Sequence, residues 1–197
     1  MRVLFNGCSW TYGEELIQRE QTRYSKLICD HYGWEEYNIS RCASSNYEIV
    51  HKCYEEVSKN EYDIVLIQLT YPTRLYLPYN GENRSFTGLQ PVRKEHNTIM
   101  KYLISNTPDS QIFVKNYSSS VLLLNEYLIS RKIKTVFFSI EKFNFSFFNK
   151  LMVHDICLKD FLSNKDDVYA KRKHPSEYGH KLIANEYLIP VIDKFAL

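Results

Sequence analysis

The stretch Arg2-Val3-Leu4-Phe5-Asn6-Gly7-Cys8-Ser9-Trp10-Thr11-Tyr12-Gly13 decides the reading of this chain. Its first five residues form a short apolar run stopped by glycine, the pattern of a buried first strand. The loop behind it sets a serine directly after the strand end. A hydroxyl there is presented at the sheet edge, where the following backbone N–H groups are free to donate. A bare hydroxyl is a poor nucleophile, so it needs a base within hydrogen-bond reach and an oxyanion site. Gly-x-Ser alone fits a plain turn serine equally well, and the rest of the chain has to supply those partners.

Outward from this stretch, strand and helix signals alternate. Residues 23–32 carry apolar positions at Tyr24, Leu27, Ile28 and Tyr32 and stop at Gly33, which predicts a helix. A short strand is expected at 36–39, then a polar turn, then a helix through Tyr47, Val50, Tyr54 and Val57. Residues 63–69, DIVLIQL, are β-branched and apolar on both faces, as a central strand of a parallel sheet requires. Residues 71–91 hold several prolines and glycines and read as a long irregular loop. Helices are expected at 92–105 and 111–131, and a second central strand at 134–140. Residues 143–170 give only short helical hints, near Phe147 and at 156–162. The last helix has Pro175 at its first position and an apolar stripe of Tyr178, Leu182, Ile183, Tyr187, Val191 and Ile192.

This order predicts one α/β domain over residues 1–197, a three-layer α/β/α sandwich around a central parallel sheet. In such sheets ligands bind beyond the carboxyl ends of the strands. That rule selects the loops after Asn6, Ile39 and Leu69.

Composition narrows the function. Hydrophobic residues make up 44% and charged residues 24% of the 197 residues, ordinary for a globular protein. A net charge of +2 gives no field that would draw nucleic acid or an anionic membrane. The run Lys171-Arg172-Lys173 reads as a solvated loop. No apolar stretch suits a signal peptide or a bilayer span, so a cytoplasmic location is expected. In that reducing compartment Cys8, Cys29, Cys42, Cys53 and Cys157 read as free thiols. No Cys-x-x-Cys pair occurs, and neither a metal nor a cofactor is expected.

The partner for the serine is sought in His174-Pro175-Ser176-Glu177-Tyr178-Gly179-His180. A histidine ahead of a helix start is held by the backbone while its ring stays free to move protons. The alternative is a surface or capping histidine. His174 and His180 cannot share a metal from one helix face.

Taken together, the two blocks resemble the SGNH/GDSL family of esterases and lipases, in particular its phage and intracellular members. The first block matches through Gly7, Ser9, Thr11, Tyr12 and Gly13, and the last through His174, Pro175, Gly179, His180 and Ala184. The resemblance implies an SGNH-hydrolase, flavodoxin-like architecture, with Ser9 as nucleophile and His174 as base. It further implies an oxyanion and substrate site at Ala43, Ser44, Asn46, Thr70 and Arg74, in middle blocks that depart from the family pattern. Ala43 and Ser44 stand where glycines are usual, and Thr70 stands near the place of the family's oxyanion asparagine. Arg74 is a candidate contact for an anionic substrate. The family's aspartate three residues before the histidine is replaced by Lys171, so an acid would have to be recruited from Asp155, Asp166 or Asp167.

The function this implies is a serine-dependent ester hydrolase, a deacetylase or esterase on a small-molecule or carbohydrate ester. Two alternatives stand beside it: a catalytically impaired binding or structural protein with the same shell, and an acyltransferase using the same site. The oligomeric state leaves no sign in the sequence.

Overall fold

A computed structural model describes residues 1–72, 74–79, 82–87, 111–142, 151–152 and 156–196. The centre is a parallel sheet of β1 (Arg2–Asn6), β2 (Glu35–Asn38), β3 (Ile64–Leu69) and β6 (Lys134–Ser139), in the order β2-β1-β3-β6. Registers are regular: Val3 lies beside Glu36 on one side and Ile64 on the other, and Ile64 beside Lys134. An isolated parallel bridge from Phe137 to Met152 continues the same direction beyond β6.

β1, β3 and β6 are buried because both of their faces are apolar, while β2, Glu35-Glu36-Tyr37-Asn38, is a partly exposed edge; alternation sends successive side chains to opposite layers. Val3, Phe5, Ile64, Leu66, Val136 and Phe138 face one layer. That layer is built by α3 (Tyr24–Tyr32), α6 (Leu158–Ser163) and the C-terminal helical run. Leu4, Val65, Ile67, Leu69 and Phe137 face the other, formed by α4 (Asn46–Lys59) and α5 (Gln111–Ser130). The result is the three-layer α/β/α sandwich. Burying each such side chain contributes roughly 1.5–3 kcal/mol before the entropy cost.

Several element ends follow from local chemistry. Gly33 ends α3 in the left-handed region at φ 68, and Ser45 caps α4 by accepting from the Glu48 N–H at 3.2 Å. The C-terminal run comprises α7 (Glu177–Leu182), a π-helical turn at Ile183–Leu188 and α8 (Ile189–Ala196). Pro190 accounts for the wide turn, because it lacks an N–H and its ring displaces the carbonyl four residues back.

Two expectations are corrected. The segment read as an irregular loop contains an antiparallel pair, β4 (Arg74–Tyr79) and β5 (Glu82–Thr87). Its sequence signal is Asn80-Gly81 between two runs of equal length, a pair suited to a two-residue hairpin. Pro78 does not preclude a strand, because a two-stranded ribbon leaves one edge of each strand unpaired. Pro175 is not the first residue of the last helix. Ser176 is the cap, accepting from the Gly179 N–H at 3.1 Å, and Glu177 is the first helical residue. The helix expected at 92–105 and the hint near Phe147 lie outside the described residues. Among the described residues, no helix is long and apolar enough to cross a membrane.

Strand order reverses direction between β2-β1 and β1-β3-β6, which makes the carboxyl ends of β1 and β3 the switch point of the sheet. Ser9 follows β1 there.

Candidate active site

Ser9 opens α1 (Ser9–Tyr12), a single turn ended by Gly13 at φ 84. The turn sits close on the strand because Gly7 has no side chain: a Cβ there would collide with Thr11 Oγ1 and Gln68 Cβ. Beneath it runs a buried chain of hydrogen bonds. Tyr24 Oη donates to Thr11 Oγ1 at 2.6 Å, and Thr11 Oγ1 donates to Gln68 Oε1 at 2.7 Å. Gln68 Nε2 donates to Cys8 Sγ at 3.5 Å, and Asn38 Nδ2 donates to the Thr11 carbonyl at 3.0 Å. All of these groups except Asn38 are buried, so the segment carrying Ser9 is fixed from below.

The loops after β2 and β3 are tied to each other by one residue. Asn46 Nδ2 donates to the Thr70 carbonyl at 3.0 Å and Asn46 Oδ1 accepts the Thr70 N–H at 2.7 Å. The Asn46 amide is thus engaged in joining the loops. Ala43 adopts φ 63, the left-handed angle that glycine takes without strain. Its Cβ costs about 1–2 kcal/mol at that angle. Thr70 Oγ1 is buried and has no hydrogen-bond partner among the described residues. Arg74 Nη1 donates to the Ser44 carbonyl at 3.1 Å, and its guanidinium lies over the Tyr71 ring at 5.2 Å.

His174 is held in a tight turn. Its carbonyl accepts the Ala170 N–H at 2.8 Å, and Lys173 takes the left-handed angle at φ 67. Gly179 lets α7 press against this turn, since a Cβ there would strike the Val168 carbonyl. The ring meets a carboxylate that the sequence reading did not select. His174 Nδ1 donates to Glu15 Oε2 at 2.9 Å. The Arg172 N–H also donates to Glu15, at 2.9 and 3.1 Å to the two oxygens, and the His174 N–H donates at 3.4 Å. Glu15 holds φ 71, a strained angle for a residue with a side chain. Burial pushes the pKa of this carboxyl up, but the His174 ring and the two backbone N–H groups outweigh it and hold it below the usual range. An ionised Glu15 keeps the proton on Nδ1 and leaves Nε2 as the acceptor.

Ser9 and Glu15, the partner of His174, belong to one short segment. The polar neighbour of Ser9 Oγ is Cys8 Sγ at 3.8 Å, and no hydrogen bond joins it to His174 among the described residues. Lys171 is exposed. Asp167 engages Ser176 Oγ through its own carbonyl at 2.6 Å, neither it nor Asp166 bonds His174, and Asp155 lies outside the described residues. Cys8 is buried beside the site. Burial raises its thiol pKa, yet Arg74, Thr70, the Trp10 N–H and Gln68 together bring it below the ordinary value. All five cysteines are free thiols. No group of His, Cys, Asp and Glu side chains among the described residues is placed to hold a metal.

His180 sits behind this site, fully buried. Its Nδ1 accepts the Tyr24 N–H at 3.1 Å, its ring stacks on Tyr24 at 5.6 Å, and its Nε2 has no partner among the described residues. Burial, helped by the charges of Arg23 and His174, pushes its pKa down to about 3.

A parallel sheet in this order, with helices on both faces, is an architecture shared by solved structures that include esterases. TesA shares it over 98% of this chain and 99% of its own, at TM-score 0.60 and 9% identity. A catalytic mutant of Axe2, an acetylxylan esterase from Geobacillus stearothermophilus, covers 96% of this chain and 93% of its own at TM-score 0.53 and 13% identity. The psychrotrophic esterase EstA from Pseudoalteromonas sp. covers 99% and 98% at TM-score 0.50 and 16% identity. No family model matches the sequence, and no curated protein matches it.

Proposed function

We propose that this chain is a serine-dependent ester hydrolase of the SGNH/GDSL kind, acting on a small or carbohydrate ester. The observation that carries the reading is the hydrogen bond from His174 Nδ1 to Glu15 at 2.9 Å. It supplies an orienting acid where the family's usual position holds Lys171, and Glu15 belongs to the same short segment as Ser9. The neighbours support the substrate class, since EstA is an esterase and Axe2 an acetylxylan esterase.

In this mechanism Ser9 Oγ attacks the ester carbonyl carbon while His174 Nε2 takes its proton. Glu15 remains ionised, holds the ring orientation and stabilises the imidazolium. The carbonyl oxygen becomes an oxyanion, met by the N–H groups of Ser9 and Ala43 and by the Thr70 hydroxyl. Collapse breaks the carbon–oxygen bond to the alcohol, which leaves with the proton from Nε2. Water then attacks the acyl-serine with His174 as base, releasing the acid and restoring Ser9. An alcohol in place of that water makes the same site an acyltransferase.

The second reading, a binding protein that keeps the shell, has one observation in its favour: Ser9 Oγ contacts Cys8 Sγ and has no hydrogen bond to His174. Apo sites often hold looser catalytic contacts than substrate complexes do. Labelling by a fluorophosphonate probe and turnover of a short-chain aryl ester separate the readings. The hydrolase predicts both activities in the wild type and loss of both in Ser9→Ala and His174→Ala. Absence of Ser9-dependent labelling and turnover assigns the chain to the binding class.

A further inference from the structure

Arg74 differs from four other described arginines in its partners, and from Arg131 and Arg172 in being half-buried where they are exposed. Arg2, Arg19, Arg23 and Arg41 each pair with a glutamate, at 3.7, 2.7, 2.9 and 3.4 Å. Arg74 has no carboxylate partner among the described residues, although it is half-buried. One of its donors, Nη1, is engaged by the Ser44 carbonyl, and its plane is set by Tyr71. Among the described residues no side chain takes the other guanidinium N–H groups, which are suited to a ligand. Its charge also acts on the buried Cys8 thiol, next in sequence to Ser9. A partly buried cation without a counter-ion is unfavourable in the free protein and becomes favourable when an anion arrives. Guanidinium geometry matches a planar carboxylate through two parallel hydrogen bonds. Among the described residues Lys159, which also acts on Tyr71, is paired with Glu141 at 3.1 Å, so Arg74 is the cation left to a ligand here and a monoanion balances its charge better than a phosphate dianion does.

The geometry points to Arg74 as the residue that selects ester substrates bearing a carboxylate near the scissile bond. This inference rests on the ester-hydrolase reading and adds the substrate class to it. The group is bound by Arg74 at the start of β4, while the ester carbonyl is placed at Ser9 at the start of α1. Arg74 is thus a specificity residue, and its effect appears as a preference between charged and neutral esters.

The test uses meta- and para-acetoxybenzoate against their neutral methyl esters, with the full chain. The wild type is expected to favour the carboxylates by about 10- to 100-fold in kcat/KM, the range for a charge-assisted hydrogen bond. Arg74→Gln collapses that ratio toward one, Arg74→Lys restores part of it, and Arg131→Gln, a cation held by Tyr127 away from the site, leaves it in place. A wild-type ratio at or below one overturns the inference, and so does an Arg74→Gln variant that slows both esters by the same factor. If the wild type hydrolyses no ester, the hydrolase reading fails, and binding of para-acetoxybenzoate to Ser9→Ala, measured by calorimetry, decides the anion site separately. Binding that Arg74→Gln removes upholds it; no binding overturns it.

Discussion

Glu15 accepts a hydrogen bond from the Nδ1 of His174 at 2.9 Å, from a backbone held in the left-handed region at φ 71. The carboxylate also takes the Arg172 and His174 N–H groups. These donors together offset the strain of that angle, so the structure concentrates several interactions on one acid.

Removing the charge while keeping the shape isolates its role. Glu15→Gln is expected to lower kcat by about 10²- to 10⁴-fold with KM little changed, because the amide does not hold the Nδ1–H tautomer or stabilise the imidazolium. Lys171→Ala, at an exposed position, is expected to leave kcat within about twofold. The pH dependence follows from the same bond. Glu15 has a lowered pKa, so it stays ionised to a lower pH than an ordinary glutamate, and activity is expected to persist correspondingly further on the acid side than in a site with an unperturbed carboxylate. Steady-state kinetics across pH check all three expectations, and an unchanged kcat in Glu15→Gln sinks the assignment.

Thr70 offers a sharper contrast between stability and activity. Its hydroxyl is buried with no well-formed hydrogen bond among the described residues and acts only on the Cys8 thiol, so replacing it with a methyl costs at most a weak sulfur contact. Thr70→Val is therefore expected to hold or raise Tm while lowering kcat by roughly 10²-fold, the scale of a lost oxyanion donor. Thermal melts and turnover on one preparation read both quantities. A fall in Tm with unchanged turnover makes Thr70 structural.

Ala43 at φ 63 is tested from two directions. Ala43→Gly relieves about 1–2 kcal/mol of strain and gives back roughly 0.5–1 kcal/mol in chain entropy, so stability is expected to change little or rise. Ala43→Val places a β-branched residue at the same angle and is expected to lose more than about 1 kcal/mol. Urea unfolding midpoints report the difference. Equal stability in the two variants contradicts the left-handed assignment.

These residues also mark how far the sequence could be read. β1, β3 and β6 were legible because an apolar run on both faces of a short segment has few other uses. The pairing of 74–79 with 82–87 was not, because prolines and glycines outweighed the Asn80-Gly81 turn signal between the two runs. Ser9, His174 and the loops after β2 and β3 were legible as places, through the strand-end rule and the spacing of their neighbours. Glu15 was not. Its carboxylate reaches His174 from a left-handed backbone angle that sequence pattern does not encode, and it comes from the far end of the chain, whereas Asp155, Asp166 and Asp167 are acids that closely precede His174 in sequence. Ala43 shows the converse: the missing glycine was visible, but its left-handed angle was visible only in the structure.

His180 predicts how the fold responds to acid. Its pKa is pushed down to about 3 in the folded chain, while an unfolded histidine titrates near 6.5. Between those values the unfolded state binds the additional proton, so stability is fully present above about pH 6.5 and falls as pH drops toward 3. By pH 5 the loss attributable to this residue is about 2 kcal/mol, from a difference of roughly 1.5 pH units below the unfolded value. His180→Gln keeps an acceptor for the Tyr24 N–H without a titrating ring, and is expected to flatten that part of the profile. Urea unfolding of both proteins at pH 7 and pH 5 measures the effect. The wild type should lose more stability than the variant over that interval, and parallel losses in the two would place the acid sensitivity elsewhere in the chain.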